Sequence, residues 1–214
     1  MKKIVYTLGY AHHTQESFLE LLKKYQINCV VDVRTMAYSK FHPQFNKEPL
    51  NIFLKQNGIV YVHMYKEFGI IRGETTLNNE DGYLDFNKLA CLPIFKSGLE
   101  RIHAGVEKGF TICFICAEKD PSDCHRSTLV GRELSKVGYK VNNIRYDGVI
   151  EEHSVLEERI IEEYCPSSHQ IDLFQEEDLG YKRLEKAYRL CNNEIVEVNS
   201  KRVLKDEYTS PRKK

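Results

Sequence analysis

The sequence lacks a net charge, a long apolar run and any internal repeat. Its 31 lysines and arginines balance 31 aspartates and glutamates, so no overall field favours nucleic-acid binding, although a local basic groove stays open. Apolar stretches fall short of the roughly 18 residues that a membrane-spanning helix needs. The first residues lead into a strand-like segment instead of a signal peptide. We therefore expect no membrane partner and a cytoplasmic location.

The cysteines do not indicate a disulfide framework. Their number is odd and they are scattered through the chain, which is typical of reduced thiols in a cytosolic protein. They are Cys29, Cys91, Cys113, Cys116, Cys124, Cys165 and Cys191. Cys113 and Cys116 form a C-x-x-C pattern, but residues three apart in a strand point to opposite faces. This pattern is therefore not assigned as a redox or zinc pair.

Short apolar runs alternate with segments of helical spacing. The runs predict buried strands at Ile4–Tyr10, Ile27–Val33, Ile59–Met64, Phe110–Cys116 and Tyr139–Tyr146. Thr14 can cap the first helix, Pro93 divides a helical stretch over Phe86–Glu107, and another helix starts near Ser122. The alternation predicts an α/β fold: a Rossmann-like three-layer domain with a mostly parallel sheet of about five strands. Since the first turn has no G-x-G-x-x-G, dinucleotide binding of that type is not supported.

The composition changes beyond residue 150. We expect residues 1–150 to form the α/β domain that carries the site, and residues 151–214 to form a helical C-terminal extension packed on it. A glutamate-rich helix is predicted up to about Pro166, and an amphipathic helix over Glu176–Cys191. The last residues are basic and are expected to fray.

Reactive side chains gather between the strand Phe110–Cys116 and the next helix. In an open α/β sheet this loop is where ligands bind. The helix dipole would lower the pKa of Cys124 if that residue lies in the first helical turn. We predict four catalytic residues: Cys116, Glu118, Cys124 and His125. The alternative is that the two cysteines pack in the core.

These residues also include potential metal ligands. His12, His13 and His42 follow other strand ends and could complete one with the cysteines. No pair of histidines has the spacing of a helical metal motif, so the sequence assigns no metal. The cofactor stays open.

Basic and aromatic side chains at other strand ends predict a place for an anionic substrate. Arg34 and Arg126 could converge on one anion with helix N–H groups behind it. Tyr38 and Phe41 could stack on a nucleobase. The predicted substrate-binding residues are His12, Arg34, Tyr38, Phe41, Asn46, Arg126, Glu151 and His153. Alternatively, Arg126 pairs with Asp32 or Glu118, and the aromatic rings cover the open end of the sheet.

Several of these segments together resemble the bacterial and archaeal family DUF488, a domain of unknown function. The matching segments are Thr7–Tyr10, Val31–Arg34, Tyr38–Asn46, Gly58–Tyr61, Cys116–Pro121, Cys124–Arg126 and Asp147–Gly148 with Glu151 and His153. The resemblance covers about residues 4–175 and implies an α/β domain without an established activity. The chain departs from the family pattern at Tyr10, usually His, at His42, usually Asn, and at Ile70, usually Gly.

These observations predict an enzyme that acts on an anionic substrate, such as a nucleotide or nucleic acid, at the carboxyl ends of the strands. The reaction type stays open. A second interpretation is a non-catalytic binding module that recognises a nucleotide, nucleic acid or protein partner through the same cleft. The sequence does not indicate the oligomeric state.

Overall fold

A computed structural model describes residues 3–70, 74–166 and 176–209, with side chains 180–201 in the last range. Its sheet has the strand order β3-β2-β4-β1-β5-β6. The strands are β1 Ile4–Gly9, β2 Cys29–Asp32, β3 Val60–His63, β4 Ile112–Cys116, β5 Lys140–Ile144 and β6 Ile150–Glu152. Strands β1 to β5 are parallel and β6 is antiparallel to β5. The mostly parallel sheet is confirmed. The sixth strand was not predicted, because a strand of three residues is too short to show a hydrophobic period in the sequence.

Helices cover both faces of the sheet. They are α1 Gln15–Lys24, α2 Lys47–Gln56, α3 Tyr65–Phe68, α4 Phe86–Cys91, α5 Pro93–Glu107, α6 Arg132–Lys136, α7 His153–Tyr164 and α8 Glu176–Thr209. A π-helix, Arg126–Gly131, runs directly into α6, and 3-10 turns lie at Pro43–Phe45 and Thr75–Leu77. Among the helices that the structure describes, none is both long and apolar enough to cross a bilayer. The three-layer α/β class with C-terminal helices is confirmed.

Strand β4 lies at the centre of the sheet, between β2 and β1. In the dinucleotide-binding Rossmann fold, by contrast, β2 and β1 are direct neighbours. Its side chains alternate between two buried clusters. Phe114 and Cys116 pack with the helices that follow β3, while Cys113 and Ile115 pack with α1 and α2. The expectation that Cys113 and Cys116 face opposite sides is therefore confirmed.

Local signals set several helix boundaries. Thr14 accepts a hydrogen bond from Ser17 N and forms a capping box at the start of α1. Pro93 is the first residue of α5, so the predicted division of the long helical stretch is confirmed. The stretch 66–85, predicted as an extended loop, includes most of α3 and one 3-10 turn. Residues 71–73 of that loop lie outside the described residues.

The C-terminal helices α7 and α8 pack on each other. The Tyr188 hydroxyl lies 3.2 Å from His153 Nε2 and donates to Glu157 Oε1 at 3.0 Å. Arg132 of α6 pairs with Glu185 and stacks over the Tyr188 ring at 3.9 Å. Helix α8 is longer than predicted, since it continues to Thr209. The final residues of the basic tail, 210–214, lie outside the described range.

We expect His153 to make the stability of the fold depend on pH. It is 4% exposed, and burial together with the nearby Arg132 lowers its pKa to about 4. Since the unfolded value is about 6.5, only the unfolded chain takes up the proton between these values. Stability is therefore complete above about pH 6.5 and declines towards pH 4, by at most about 3 kcal/mol.

Thermal melts from pH 4.5 to 7.5 test this expectation. His153→Asn should flatten the dependence of the melting temperature on pH, because the variant has no buried imidazole to protonate. His12→Asn, at an exposed position, should keep the parent slope. Identical slopes in His153→Asn and the parent would show that another group carries the dependence.

Candidate active site

The carboxyl ends of three adjacent strands meet at β4. Tyr10 N donates to Cys116 O at 3.0 Å on one side, and Val33 N donates to Ile115 O at 3.3 Å on the other. The backbone after β4 passes close to Gly9, where an added Cβ would lie 1.8 Å from the carbonyl oxygen of Glu118. A glycine is therefore required there. We call residues 117–124, which follow β4, the site loop.

The predicted catalytic residues come together around this loop. Cys116, Cys124 and His125 offer ligand-type atoms that all lie within 4.8 Å of one another, and all three residues are buried. His125 Nε2 lies 3.1 Å from the carbonyl oxygen of Val33, which can only accept, so Nε2 carries the hydrogen. This leaves Nδ1 facing Cys124 Sγ at 3.9 Å. The Glu118 carboxylate lies next to both sulfurs. We call these four side chains the thiol cluster.

Cys124 precedes the helical segment instead of lying in its first turn. The segment starts at His125 and not at Ser122, because Asp120 Oδ1 accepts hydrogen bonds from Ser122 N and Oγ and holds a turn there. The Cys124 carbonyl accepts from the amides of residues 127 and 128. Its sulfur accepts from Arg126 N at 3.5 Å. Cys124 thus lies just before the helical segment, where a backbone amide stabilises a thiolate.

The electrostatics of the thiol cluster separate its two cysteines. Burial alone would raise the pKa of Cys124, but a hydrogen bond from Cys116 and the charge of Arg126 lower it to about 6. That same hydrogen bond, together with burial, raises the pKa of Cys116. Burial disfavours ionised Glu118, yet polar contacts, that with Cys116 the largest, lower its pKa to about 2. Burial likewise opposes charge on His125, whereas the Cys124 sulfur raises its pKa. These shifts favour the charged forms of Cys124 and His125 and the neutral form of Cys116.

Arg34 has acceptors within the fold for each of its guanidinium nitrogens. Its Nε donates to Asp32 Oδ1 at 2.9 Å and its Nη1 to the Tyr10 hydroxyl at 2.7 Å. Its Nη2 donates to Asp32 Oδ2 at 2.6 Å and to the Phe45 carbonyl at 2.9 Å. Asp32 also accepts from the Tyr61 hydroxyl at 2.7 Å and is completely buried. The sequence proposed Asp32 as a partner of Arg126; the structure pairs it with Arg34. Arg34 therefore braces the end of β2 against β1 and the loop before α2.

Arg126 is completely buried beside the thiol cluster. Its Nη1 donates to the carbonyl oxygen of Glu118 at 2.8 Å, so the contact predicted with Glu118 is made through the backbone. Its Nε has no acceptor among the residues that the structure describes. Arg126 thus holds the site loop and supplies positive charge to the cluster.

The remaining predicted substrate-binding residues are divided between the surface and the interior. Tyr38 is 62% exposed and Phe41 87% exposed on the loop after β2, and His12 is exposed after β1. Asn46, at the end of that loop, accepts from Ser39 N at 2.6 Å. His153 is buried beneath α8, on the side of the sheet opposite α1 and α2. Only the exposed residues can meet a ligand without rearrangement.

One residue that positions the site was missed. Arg159 of α7 donates to Asp120 Oδ1 at 2.7 Å and to Glu151 Oε1 at 3.0 Å, and Arg145 also pairs with both carboxylates. This network ties the site loop to α7 and to the β5–β6 end of the sheet. Glu151, predicted as a substrate contact, is part of it. In the sequence Arg159 is one basic residue in an acidic helix, and no pattern marks its partner.

A buried cluster of thiols, carboxylate and imidazole at the centre of a mostly parallel sheet defines an α/β protein with a strand-end site. The family model described as "Domain of unknown function DUF488" matches residues 14–132, more than half of the 214 residues. The chain belongs to this family. The matched range contains the whole thiol cluster. No curated protein and no solved structure matches the chain significantly.

Proposed function

We propose that the chain is an enzyme whose catalytic centre is the thiol cluster, and that it acts on an anionic substrate of the nucleotide or nucleic-acid class. The convergence of Cys116, Glu118, Cys124 and His125 at the end of the central strand carries the proposal. Burying ionisable groups together is costly, and apolar side chains would fill the same space at lower cost. Such clusters are concentrated in active sites.

The substrate class rests on exposed aromatic rings and on a buried arginine. Tyr38 and Phe41 expose their rings on the loop after β2, the strand next to β4. Rings held in this way stack on nucleobases, since every base offers a π-face. Arg126 adds a buried positive charge and a donor, Nε, next to the centre. A cytoplasmic location agrees with this chemistry, because the free thiols would stay reduced there.

Exposed rings also favour a second candidate function. Phe41 is 87% exposed, as expected of a surface that binds a nucleotide, nucleic acid or protein partner without chemistry. In that case the thiol cluster only stabilises the fold. The two functions differ in whether Glu118 is needed for more than folding.

Product formation tests the proposal. The purified protein is incubated with pools of nucleotides and with short single-stranded oligonucleotides, and products are identified by liquid chromatography and mass spectrometry. Glu118→Gln keeps the size of the side chain but removes its charge, and should lower turnover by roughly a hundredfold or more. Phe41→Ala should raise KM with little change in kcat. Cys113→Ala, a buried thiol on the opposite face of β4, should behave like the parent.

Two results would contradict the enzyme proposal. The first is binding, seen as a rise in melting temperature, with no product from any pool. The second is turnover that Glu118→Gln leaves unchanged. Binding that only Phe41→Ala weakens would establish the binding module instead.

A further inference from the structure

We propose that Cys116 Sγ, Cys124 Sγ and His125 Nδ1 form a three-ligand site for a thiophilic divalent cation, with Zn²⁺ the best fit. The inference deepens the proposed function, on which its catalytic meaning rests, by naming the cofactor of the same centre. From the sequence, His12, His13 and His42 are the histidines that could complete a metal site with the cysteines. The structure instead brings His125 to the two cysteines.

The distances suit tetrahedral zinc. Zn–S bonds of about 2.3 Å and Zn–N bonds of about 2.0 Å place neighbouring ligand atoms roughly 3.5 to 3.8 Å apart. Cys124 Sγ and His125 Nδ1 are 3.9 Å apart, and all three donor atoms lie within 4.8 Å of one another. A shift of a few tenths of an ångström to about one ångström closes the site. Two sulfurs and one imidazole favour zinc over magnesium or calcium, which prefer oxygen.

The groups around the donors have the arrangement found behind metal ligands. His125 donates from Nε2 to the carbonyl oxygen of Val33 at 3.1 Å, which fixes the ring and turns Nδ1 towards the sulfur. Arg126 N donates to Cys124 Sγ at 3.5 Å, as amides do to metal-bound thiolates. The ligands are attached to rigid elements, because Cys116 ends the central strand and His125 begins the π-helix segment. The site is thus held in place without the metal.

The net charge of the site also favours binding of the ion. Zn²⁺ bound to two thiolates and a neutral imidazole carries no net charge. The metal-free cluster with one thiolate and one imidazolium, or with two thiols and a neutral ring, is also neutral. Binding therefore exchanges two protons for one divalent ion and leaves the charge balance with Arg126 and Glu118 unchanged. A buried site pays no additional charge penalty for loading.

Three protein ligands leave one tetrahedral position open, which is typical of catalytic zinc sites and not of structural ones. Glu118 lies close to the proposed site, since its carboxylate is next to both sulfurs. A zinc ion there supplies a Lewis acid to the proposed enzyme.

Metal analysis of the full chain tests the site. After expression in zinc-supplemented medium and purification without chelators, elemental mass spectrometry should find about one zinc per chain. Metal-free protein reloaded with Co²⁺ should show the intense near-ultraviolet absorption of cobalt–thiolate bonds, and weaker visible bands of tetrahedral cobalt. Zinc affinity should fall by roughly a hundredfold or more in each ligand variant: Cys116→Ala, Cys124→Ala and His125→Asn. This loss exceeds the roughly tenfold to hundredfold that is typical when a residue behind a metal ligand is replaced. Cys113→Ala is the matched control and should bind like the parent.

The parent alone keeps the test decisive if a ligand variant fails to fold. A parent that takes up less than a tenth of an equivalent of zinc, and shows no cobalt–thiolate absorption, overturns the site. So does equal zinc affinity in folded Cys116→Ala, Cys124→Ala and the parent. Turnover by zinc-free protein would contradict the proposal that zinc is the cofactor but would support the proposal that the chain is an enzyme. If zinc binds to the expected ligands and no turnover is found, the enzyme proposal is contradicted and the zinc site is structural.

Discussion

Asp32→Ala is expected to lower the free energy of unfolding by about 3 to 5 kcal/mol, the cost of removing one partner from a buried ion pair. Asp32 is completely buried and Arg34 is 5% exposed. Without the carboxylate, the buried Arg34 guanidinium loses its charged partner, and the Tyr61 hydroxyl loses its acceptor. The loss should be seen as a shift of the urea unfolding midpoint with little change in slope.

Two comparisons isolate the buried charge. Glu133→Ala removes a surface pair with Lys136 and should cost less than about 1 kcal/mol. The double change Asp32→Leu/Arg34→Met removes both charges and should be more stable than Asp32→Ala alone. If Asp32→Ala costs no more than Glu133→Ala, the pair at the end of β2 is screened and Arg34 is available to an anion.

The parts of the fold that could be predicted depend on local pattern. Strand β4 was predictable because five consecutive apolar residues can be buried on both faces only at the centre of a parallel sheet. The start of α1 and the division at Pro93 were predictable because capping residues and proline act within one helical turn. Strand β6 was not, because its pairing with β5 comes from tertiary contact rather than from its own three residues.

In the candidate site, too, only the features that depend on local sequence could be predicted. The thiol cluster could be predicted because its members are close in sequence and follow the end of one strand. The partner of each arginine could not, because that choice depends on strand order. Since β2 and β1 flank β4, Arg34 reaches both Asp32 and Tyr10, whereas Arg126 is turned towards the backbone of the site loop. The π-helix was equally hidden, because its residues have an ordinary helical composition.

Ile115→Asp is expected to abolish the folded state. Ile115 is completely buried in the central strand, where Asp32 is its register partner on β2 and Leu8 its partner on β1. An aspartate there would lie beside the Asp32 carboxylate, whose partner Arg34 is already engaged, among Leu8, Phe18 and other apolar side chains. The cost of burying it unpaired should exceed about 4 kcal/mol, close to the whole stability of a typical domain at about 5 to 15 kcal/mol.

Val60→Asp provides the matched control on an edge strand. Val60 begins β3, is 44% exposed, and can place a carboxylate in water. Its melting temperature should fall by no more than a few degrees, while Ile115→Asp should give insoluble protein or a circular dichroism spectrum without a cooperative transition. A soluble Ile115→Asp variant that melts cooperatively near the parent would show that β4 is not the buried centre of the sheet. It would also remove the physical basis for placing the thiol cluster at its end.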